Sequence, residues 1–366
     1  MRKPASRPQA IIFENHCRAN IQRIVQKASR IGAAYTPHFK THQSAVVANW
    51  FRDEGITGIT VSSPEMAMYF ADHNWDDITI AFPFYQNQIG TIRHLSKNCS
   101  LRLMATDPKD VVLLDSETDE TIRILIEIDA GYGRSGLTLD DSGSINAIIQ
   151  KVDQSSHLAF AGFYIHDGAT YHVKGKEAVR NLIQRDLNAF SRLQTTYSRR
   201  NLDYCLGDTP SCSLCDDLDP ATELTPGNLV FYDLMQIQAG SCTWDDIGLL
   251  VRVPVAQEKP ETEQCIIHGG AVHFSKDNLM LNGVQTYGQP VVLHENQTIT
   301  PVQGSRISAL SQEHGTVDGL SAIKKAYGVE QLREIWVCPV HSCLTANLFE
   351  MYHTPEGVPV TKRILS

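Results

Sequence analysis

Three pieces of one stretch decide the fold. They are "TIRILIEIDA" (Thr121–Ala130), "SINAIIQKVDQ" (Ser144–Gln154) and "LAFAGFYIHD" (Leu158–Asp167). The outer two are almost continuously apolar, as a strand covered on both faces must be. The middle one spaces Ile145, Ile148, Ile149 and Val152 along one helical stripe. Buried strand, amphipathic helix and buried strand make a parallel unit with a right-handed crossover.

Working outward, the same alternation runs from about residue 14 to 240. "ENHCRANIQRIVQKASRIG" (Glu14–Gly32) reads as a helix, and "AAYTPHFK" (Ala33–Lys40) as extended because Pro37 disfavours helix. "SAVVANWFRDEG" is a helix closing at Gly55, and "ITGITVSS" is a strand. "SPEMAMYFADH" opens with Ser63 as cap and Pro64 in the first turn. Further strands are expected in "DDITIAFP", "LRLMATD", "LDYCLGD" and "GNLVFYD", giving eight in all. Eight units over roughly 230 residues suit a (β/α)8 TIM-type barrel spanning 14–244. A dinucleotide-binding sheet is disfavoured, since no Gly-x-Gly-x-x-Gly follows the first strand. From 245 to 366 the pattern turns to short strands between Gly, Pro and Asp, with one helix in "GLSAIKKAYGVEQL". This is a second, mostly β domain, to which residues 1–13 are expected to add.

The chain has 366 residues and a net charge of −9, which argues against nucleic acid as a main partner. It holds no apolar run of membrane-spanning length. Nine scattered cysteines read as reduced thiols in a cytoplasmic setting.

Chemistry is expected at the C-terminal ends of barrel strands. "TPHFKTHQ" (Thr36–Gln43) places Lys40 between His38 and His42, which strand alternation would put on one face. Neighbouring cations and desolvation lower a lysine pKa, and such an amine can act as base or hold an aldehyde cofactor. "LGDTPS" (Leu206–Ser211) offers Gly207, Asp208 and Thr209 as a phosphate cradle, or as an ordinary turn. "DAGYGRSG" (Asp129–Gly136) presents Arg134, able to pair with a phenolate or carboxylate. "YIHDGATYH" (Tyr164–His172) gives His166, either structural or stacked on a planar cofactor, with Tyr171 soon after. In "CPVHSCLTAN" (Cys338–Asn347), His341 and Cys343 would face one way on an extended segment, either as a nitrogen–thiolate metal pair or as the chance spacing that a lone His-x-Cys often is. "CSLC" (Cys212–Cys215) has half a structural zinc spacing without its second half, so packing or free thiols are preferred there. "SQEHG" (Ser311–Gly315) adds Gln312 and His314, for a pocket or a turn.

Taken in order, "PHFKTH", "DAGYGRSG", "YIHDGATYH", "LGDTPS", "ELTPGNLVFYD", "SQEHG" and "PVHSCLTAN" resemble the pyridoxal-phosphate enzymes of the D-threonine aldolase and eukaryotic-type D-serine dehydratase family, which share an alanine-racemase-like barrel. The resemblance implies that Lys40 is the Schiff-base lysine and that His341 and Cys343 hold a divalent metal. It also implies that Arg134 faces the cofactor phenolate, that His38 and Lys40 lie at the cofactor, and that His166 packs on or near its ring. Tyr171 would lie close to the ring nitrogen, and Gly207, Asp208 and Thr209 would hold the phosphate. Tyr232 and Asp233 match a pocket-wall segment, and Gln312 and His314 would shape the substrate pocket. The sequence departs from the family at Thr36, where arginine is usual, at Phe39, where a small residue is usual, and in "HGGAVHFSKD" (His268–Asp277). His-x-Cys accompanies dehydratase-like members and His-x-Asp the aldolase-like ones, and a thiolate favours zinc. The resemblance therefore implies a lyase that eliminates water from a β-hydroxy D-amino acid to give a 2-oxo acid and ammonia. The alternatives are retro-aldol cleavage to glycine and an aldehyde, racemisation, or non-catalytic cofactor binding. A homodimer is implied as well.

Overall fold

An apolar strand flanked by helices buries both faces only when neighbours continue on each side, and eight such strands can do so by closing a ring. The computed structural model of the protein, which describes residues 4–281 and 283–363, has this ring in one of its two compact units, Gln22–Lys40 with Ala48–Gly227. Its strands are β1 (Ala34–Tyr35), β2 (Gly58–Val61), β3 (Asp77–Pro83), β4 (Ser100–Ala105), β5 (Ile122–Asp129), β6 (Leu158–Ile165), β7 (Asp203–Leu206) and β8 (Glu223–Leu224). All pair in parallel, in the order β1-β8-β7-β6-β5-β4-β3-β2. A bridge between His38 and Thr60 nearly completes the circle. The expected barrel is therefore present.

The expected local signals also hold. Ser63 caps the helix Pro64–Ala71, accepting the Met66 N–H at 3.2 Å. The Ile145, Ile148, Ile149 and Val152 stripe is buried. The eighth strand differs from expectation. "GNLVFYD" begins a short 3-10 turn, Asn228–Val230, and the strand is Glu223–Leu224 just before it. Two paired residues ahead of Pro226 and Gly227 carry too little periodicity to read, whereas "LVFY" is apolar because it is buried.

The N-terminal end of the barrel interior is polar. Arg102 on β4 is 4% exposed and bonds Glu223 on β8, itself 7% exposed, at 2.6 and 2.5 Å. Its Nε donates to Thr79 on β3 at 2.8 Å, and Asp203 on β7 lies 3.3 Å away. Thr36 donates its hydroxyl to Glu223. Burial opposes the guanidinium charge, but Glu223 outweighs it and holds the group firmly protonated. One layer above, Met104, Leu125, Tyr164 and Cys205 pack as an apolar cluster.

The other unit comprises Met1–Ile21, Thr41–Val47 and Asn228–Ser366. A mostly antiparallel sheet joins β9 (Leu249–Lys259) to the N-terminal strand Gln9–Ile12 on one side. On the other side β9 pairs with Glu334–Pro339. The far end of β9 pairs with β10 (Gln264–His268), followed by β12 (His314–Asp318) and β11 (Arg306–Leu310). Thr41–Val47 is stitched into this unit: the Tyr352 hydroxyl donates to His42 O at 2.7 Å and Ser44 Oγ to Thr361 O at 2.6 Å. The helix expected in "GLSAIKKAYGVEQL" is Leu320–Tyr327, and short helices at Leu234–Ala239, Ala271–Phe274 and Ser342–Asn347 accompany it. Among the described residues no helix is long and apolar enough to cross a membrane.

Removing one partner of a buried, hydrogen-bonded ion pair leaves the other charge uncompensated. Glu223→Gln should therefore lower unfolding stability by about 3–5 kcal/mol. Urea unfolding measures this, and a loss below about 1 kcal/mol would show that the interior layer is not what holds the ring.

Candidate active site

The residues singled out from the sequence divide between the two units. In the barrel, Lys40 lies in a turn following the His38 bridge and is partly exposed. Strand alternation does not extend to it. The strand ends at Tyr35, residues 39–42 turn, and His42 is fully buried in the other unit. His42 takes the Ser44 N–H on Nδ1 at 3.1 Å, and burial pushes its pKa down to about 3, so it is a neutral structural residue. His38 is buried, with its Nδ1 facing the Lys40 N–H at 3.4 Å. The unusual Phe39 is also accounted for. Its ring is 0% exposed and packs against Phe51, Phe70 and Trp75 with centroids 4.9–5.2 Å apart. That anchor fixes the backbone from which the Lys40 side chain leaves.

His166 follows β6. Its Nδ1 bonds the carbonyl oxygen of Gly207, an acceptor only, so Nδ1 carries the proton. Burial, then the positive charges of Lys40 and Arg134, hold its pKa well below the usual value. The imidazole is thus neutral, and the same charges place Lys40 and Arg134 within electrostatic reach of it. Arg134 is half-exposed, and its guanidinium meets buried Glu127 at 3.3 Å. Ser135 Oγ donates to the other Glu127 oxygen at 2.8 Å. The glycine loop is held by Asp129, which accepts the N–H groups of Gly131 and Gly133 at 2.8 and 3.0 Å.

At the end of β7, a Cβ on Gly207 would meet Tyr164 Oη at 2.4 Å and Thr225 Oγ1 at 2.6 Å, so only glycine lets the backbone pass. Asp208 accepts the Ser211 N–H at 2.7 Å and the Thr170 hydroxyl at 2.9 Å, and burial pushes its pKa up to about 6. Tyr171 Oη accepts the Thr209 N–H at 3.2 Å. The buried hydroxyl of Thr209 has no hydrogen-bond partner among the described residues. Cys212 and Cys215, just beyond, are buried thiols whose pKa values burial raises.

In the other unit, His341 is the last extended residue before the helix Ser342–Asn347, and Cys343 sits in its first turn. The expected extended segment is therefore replaced by a helix start, yet the two side chains still hydrogen-bond each other. Burial would lower the His341 pKa, but Asp277 and Cys343 outweigh it and push the value up to about 11. Asp277 Oδ2 lies 3.1 Å from His341 Nδ1, leaving Nε2 for a ligand. Cys343 Sγ has Thr41 Oγ1 at 3.2 Å and Asn228 Nδ2 at 3.4 Å. Of nine cysteines it alone is not buried. Asp233 Oδ2 accepts from Asn228 at 2.7 Å and from the Ser342 N–H at 2.8 Å, bracing the segment that carries His341 and Cys343. Tyr232, before it, is buried with φ +48°. Gln312 and His314 are exposed at the β11–β12 hairpin.

Sequence reasoning passed over Glu127, Asp277 and Asn228. Glu127 was findable, as a lone charge inside the apolar run "ILIEID". Asp277 and Asn228 carry no local signal, since each matters through a partner 64 or 115 residues away.

Residues 12–233 match the family described as alanine racemase, N-terminal domain, and residues 249–354 match a serine dehydratase domain. The chain is 26% identical to the D-threo-3-hydroxyaspartate dehydratase of Delftia sp. (strain HT23), over 94% of this chain and 93% of the relative. It is 24% identical to the D-serine dehydratase of Dictyostelium discoideum, over 94% of this chain and 92% of that one. The solved Delftia dehydratase superposes with a TM-score of 0.87 at 25% identity, covering 99% of this chain and 98% of the other. A cysteine-to-alanine mutant of that dehydratase has been solved in a metal-free form.

A carboxylate behind a metal-ligating histidine fixes its tautomer and orientation. With His341 and Cys343 as the expected metal ligands, Asp277→Asn should weaken the protein's affinity for added zinc about 10–100-fold, as read by competition with a chromophoric chelator. An unchanged affinity would remove Asp277 from the site.

Proposed function

We propose that this chain, which belongs to the alanine racemase N-terminal domain family, is a pyridoxal-phosphate- and zinc-dependent lyase that removes water from a β-hydroxy D-amino acid. The single observation that carries the reading is the His341–Cys343 pair: one imidazole nitrogen, one accessible thiol and a supporting carboxylate, a donor set suited to zinc with positions left over for water or substrate. The dehydratase names of the relatives point the same way.

The barrel residues fit the organic cofactor. Thr209 Oγ1 is a buried hydroxyl with no hydrogen-bond partner among the described residues, and Gly207 lets the backbone that leads to it pass Tyr164 and Thr225, as a phosphate-binding turn at a strand end requires. Lys40 would hold the aldehyde, Arg134 the phenolate edge, and the neutral His166 the ring face, with Tyr171, His38 and Asp208 as the other barrel residues of the cofactor site. Bound there, pyridoxal phosphate supplies an electron sink for charge at the substrate α-carbon, and zinc supplies a Lewis acid for the β-hydroxyl.

The remaining work falls to the chain's own groups. Lys40 Nζ takes the α-proton, for which it must stand within hydrogen-bond reach of that carbon. His166 cannot serve as a cationic donor, because burial above all, with Arg134 nearby, disfavours its charged form. It hands no proton to the ring and leaves acid chemistry to other groups. Glu127 restrains the Arg134 guanidinium. His341 and Cys343 hold the metal, and Asp277 keeps the His341 proton on Nδ1. Loss of hydroxide followed by hydrolysis gives a 2-oxo acid and ammonia. The working form is read as a cytoplasmic homodimer.

Purified protein offered D-serine, D-threonine and D-threo-3-hydroxyaspartate should release 2-oxo acid and ammonia, lose this activity to a chelator and regain it with zinc. Glycine and an aldehyde would instead make it an aldolase. Isomerised substrate without elimination would make it a racemase, and no turnover at all would leave a cofactor-binding protein. Lys40→Ala should abolish the visible absorbance of the bound cofactor while leaving zinc in place.

A further inference from the structure

Two sequence motifs hold residues without a role in the reading above: "HGGAVHFSKD" (His268–Asp277), of which only Asp277 has been used, and "SQEHG" (Ser311–Gly315), whose Glu313 has not. The fold brings them together. His268 ends β10, and its Nε2 lies 3.6 Å from Glu313 Oε2. His273, on the short helix Ala271–Phe274, sets its ring edge-on to His268 with centroids 5.4 Å apart and planes at 88°. One ligand atom from each of His268, His273 and Glu313 lies within 4.8 Å of the other two.

The backbone preorganises this trio. The Gly269 N–H donates to Glu313 O at 2.9 Å, the Ala271 N–H to Ser311 O at 2.8 Å and the Val272 N–H to Gln312 O at 3.2 Å. The two segments are thus zipped side by side. A Cβ on Gly270 would meet Gln312 O at 2.2 Å, so the second glycine of the motif is what permits the approach. The His273 ring also rests near Phe349, with centroids 6.1 Å apart. His268 and Glu313 side chains are 43% and 48% exposed, which leaves a path from solvent.

We propose that His268, His273 and Glu313 form a second metal site, separate from His341 and Cys343, that takes a borderline divalent ion such as zinc, cobalt or nickel. Two imidazoles and one carboxylate match the preference of those ions, and three protein ligands leave a position for water. Binding gives up one long contact, the 3.3 Å approach of the Gly270 N–H to His273 Nδ1. It also clamps the segment that leads, four residues after His273, to Asp277. An ion there ties the position of His341's carboxylate partner to a site of different chemistry.

Chelator-stripped protein titrated with zinc against a chromophoric competitor should bind two ions per chain. Glu313→Gln, which keeps the shape of the side chain, and His268→Ala should each weaken one ion by about 100-fold or more and leave the other unchanged. Cys343→Ala should do the converse. Cobalt separates the two directly: sulfur-to-cobalt charge-transfer absorption belongs only to the ion at Cys343. Metal-free thermal melts of Glu313→Gln and of the unaltered protein should coincide. A single ion per chain that disappears in Cys343→Ala overturns the second site, as does undiminished two-ion binding in both Glu313→Gln and His268→Ala. A single ion retained in Cys343→Ala but lost in His268→Ala upholds the second site and removes the metal from the proposed lyase.

Discussion

The barrel depends on a charge placed where charges are costly. Arg102 points into the ring from β4 and is held by Glu223 of β8, with Thr79 of β3 and Asp203 of β7 around it. β8 pairs its neighbours through two residues only, Glu223 and Leu224. So short a strand has little ladder to hold it in register, and the ion pair supplies the missing constraint. Once desolvated, neither charge can leave without stranding the other. Filling the N-terminal end of the barrel this way leaves the opposite end for chemistry, as the architecture requires.

At that opposite end three contacts within the barrel set the orientation of the candidate side chains. Phe39, sealed among Phe51, Phe70 and Trp75, fixes the peptide before Lys40. Gly207 lends its carbonyl to His166 and thereby sets the tautomer of that ring. Glu127 holds Arg134 and Ser135 together across the glycine loop. Each is a local device, and each makes one functional side chain available in one orientation.

The β unit shows the same economy. Cysteines are common in this chain, yet burial raises the thiol pKa at most of them and keeps them inert. Cys343 differs by standing in the first turn of a short helix, partly exposed, with Asn228 and Thr41 as neighbours and His341 as its pair. A single position therefore combines a thiol's chemistry with access to it.

Much of this was legible in the amino-acid sequence. The buried strand, amphipathic helix and buried strand around Ser144–Gln154 specify a parallel sheet, because strand and helix periodicities are local and survive in one dimension. The Ser63 cap with Pro64 is legible for the same reason, and so are the catalytic and metal candidates, which stand in compact motifs. The eighth strand was not, since two residues hold no period. Neither was the parting of His38 from His42: only the folded chain shows the turn at 39–42 that buries His42 behind Tyr352. The support of His341 by Asp277, the bracing of Cys343 by Asn228, and the meeting of His268 and His273 with Glu313 were decided by tertiary structure alone. Those pairs are joined across 40 to 115 residues, and hydrogen bonds and metal ligation are short-range forces that act only once packing has brought the groups within a few ångströms of each other.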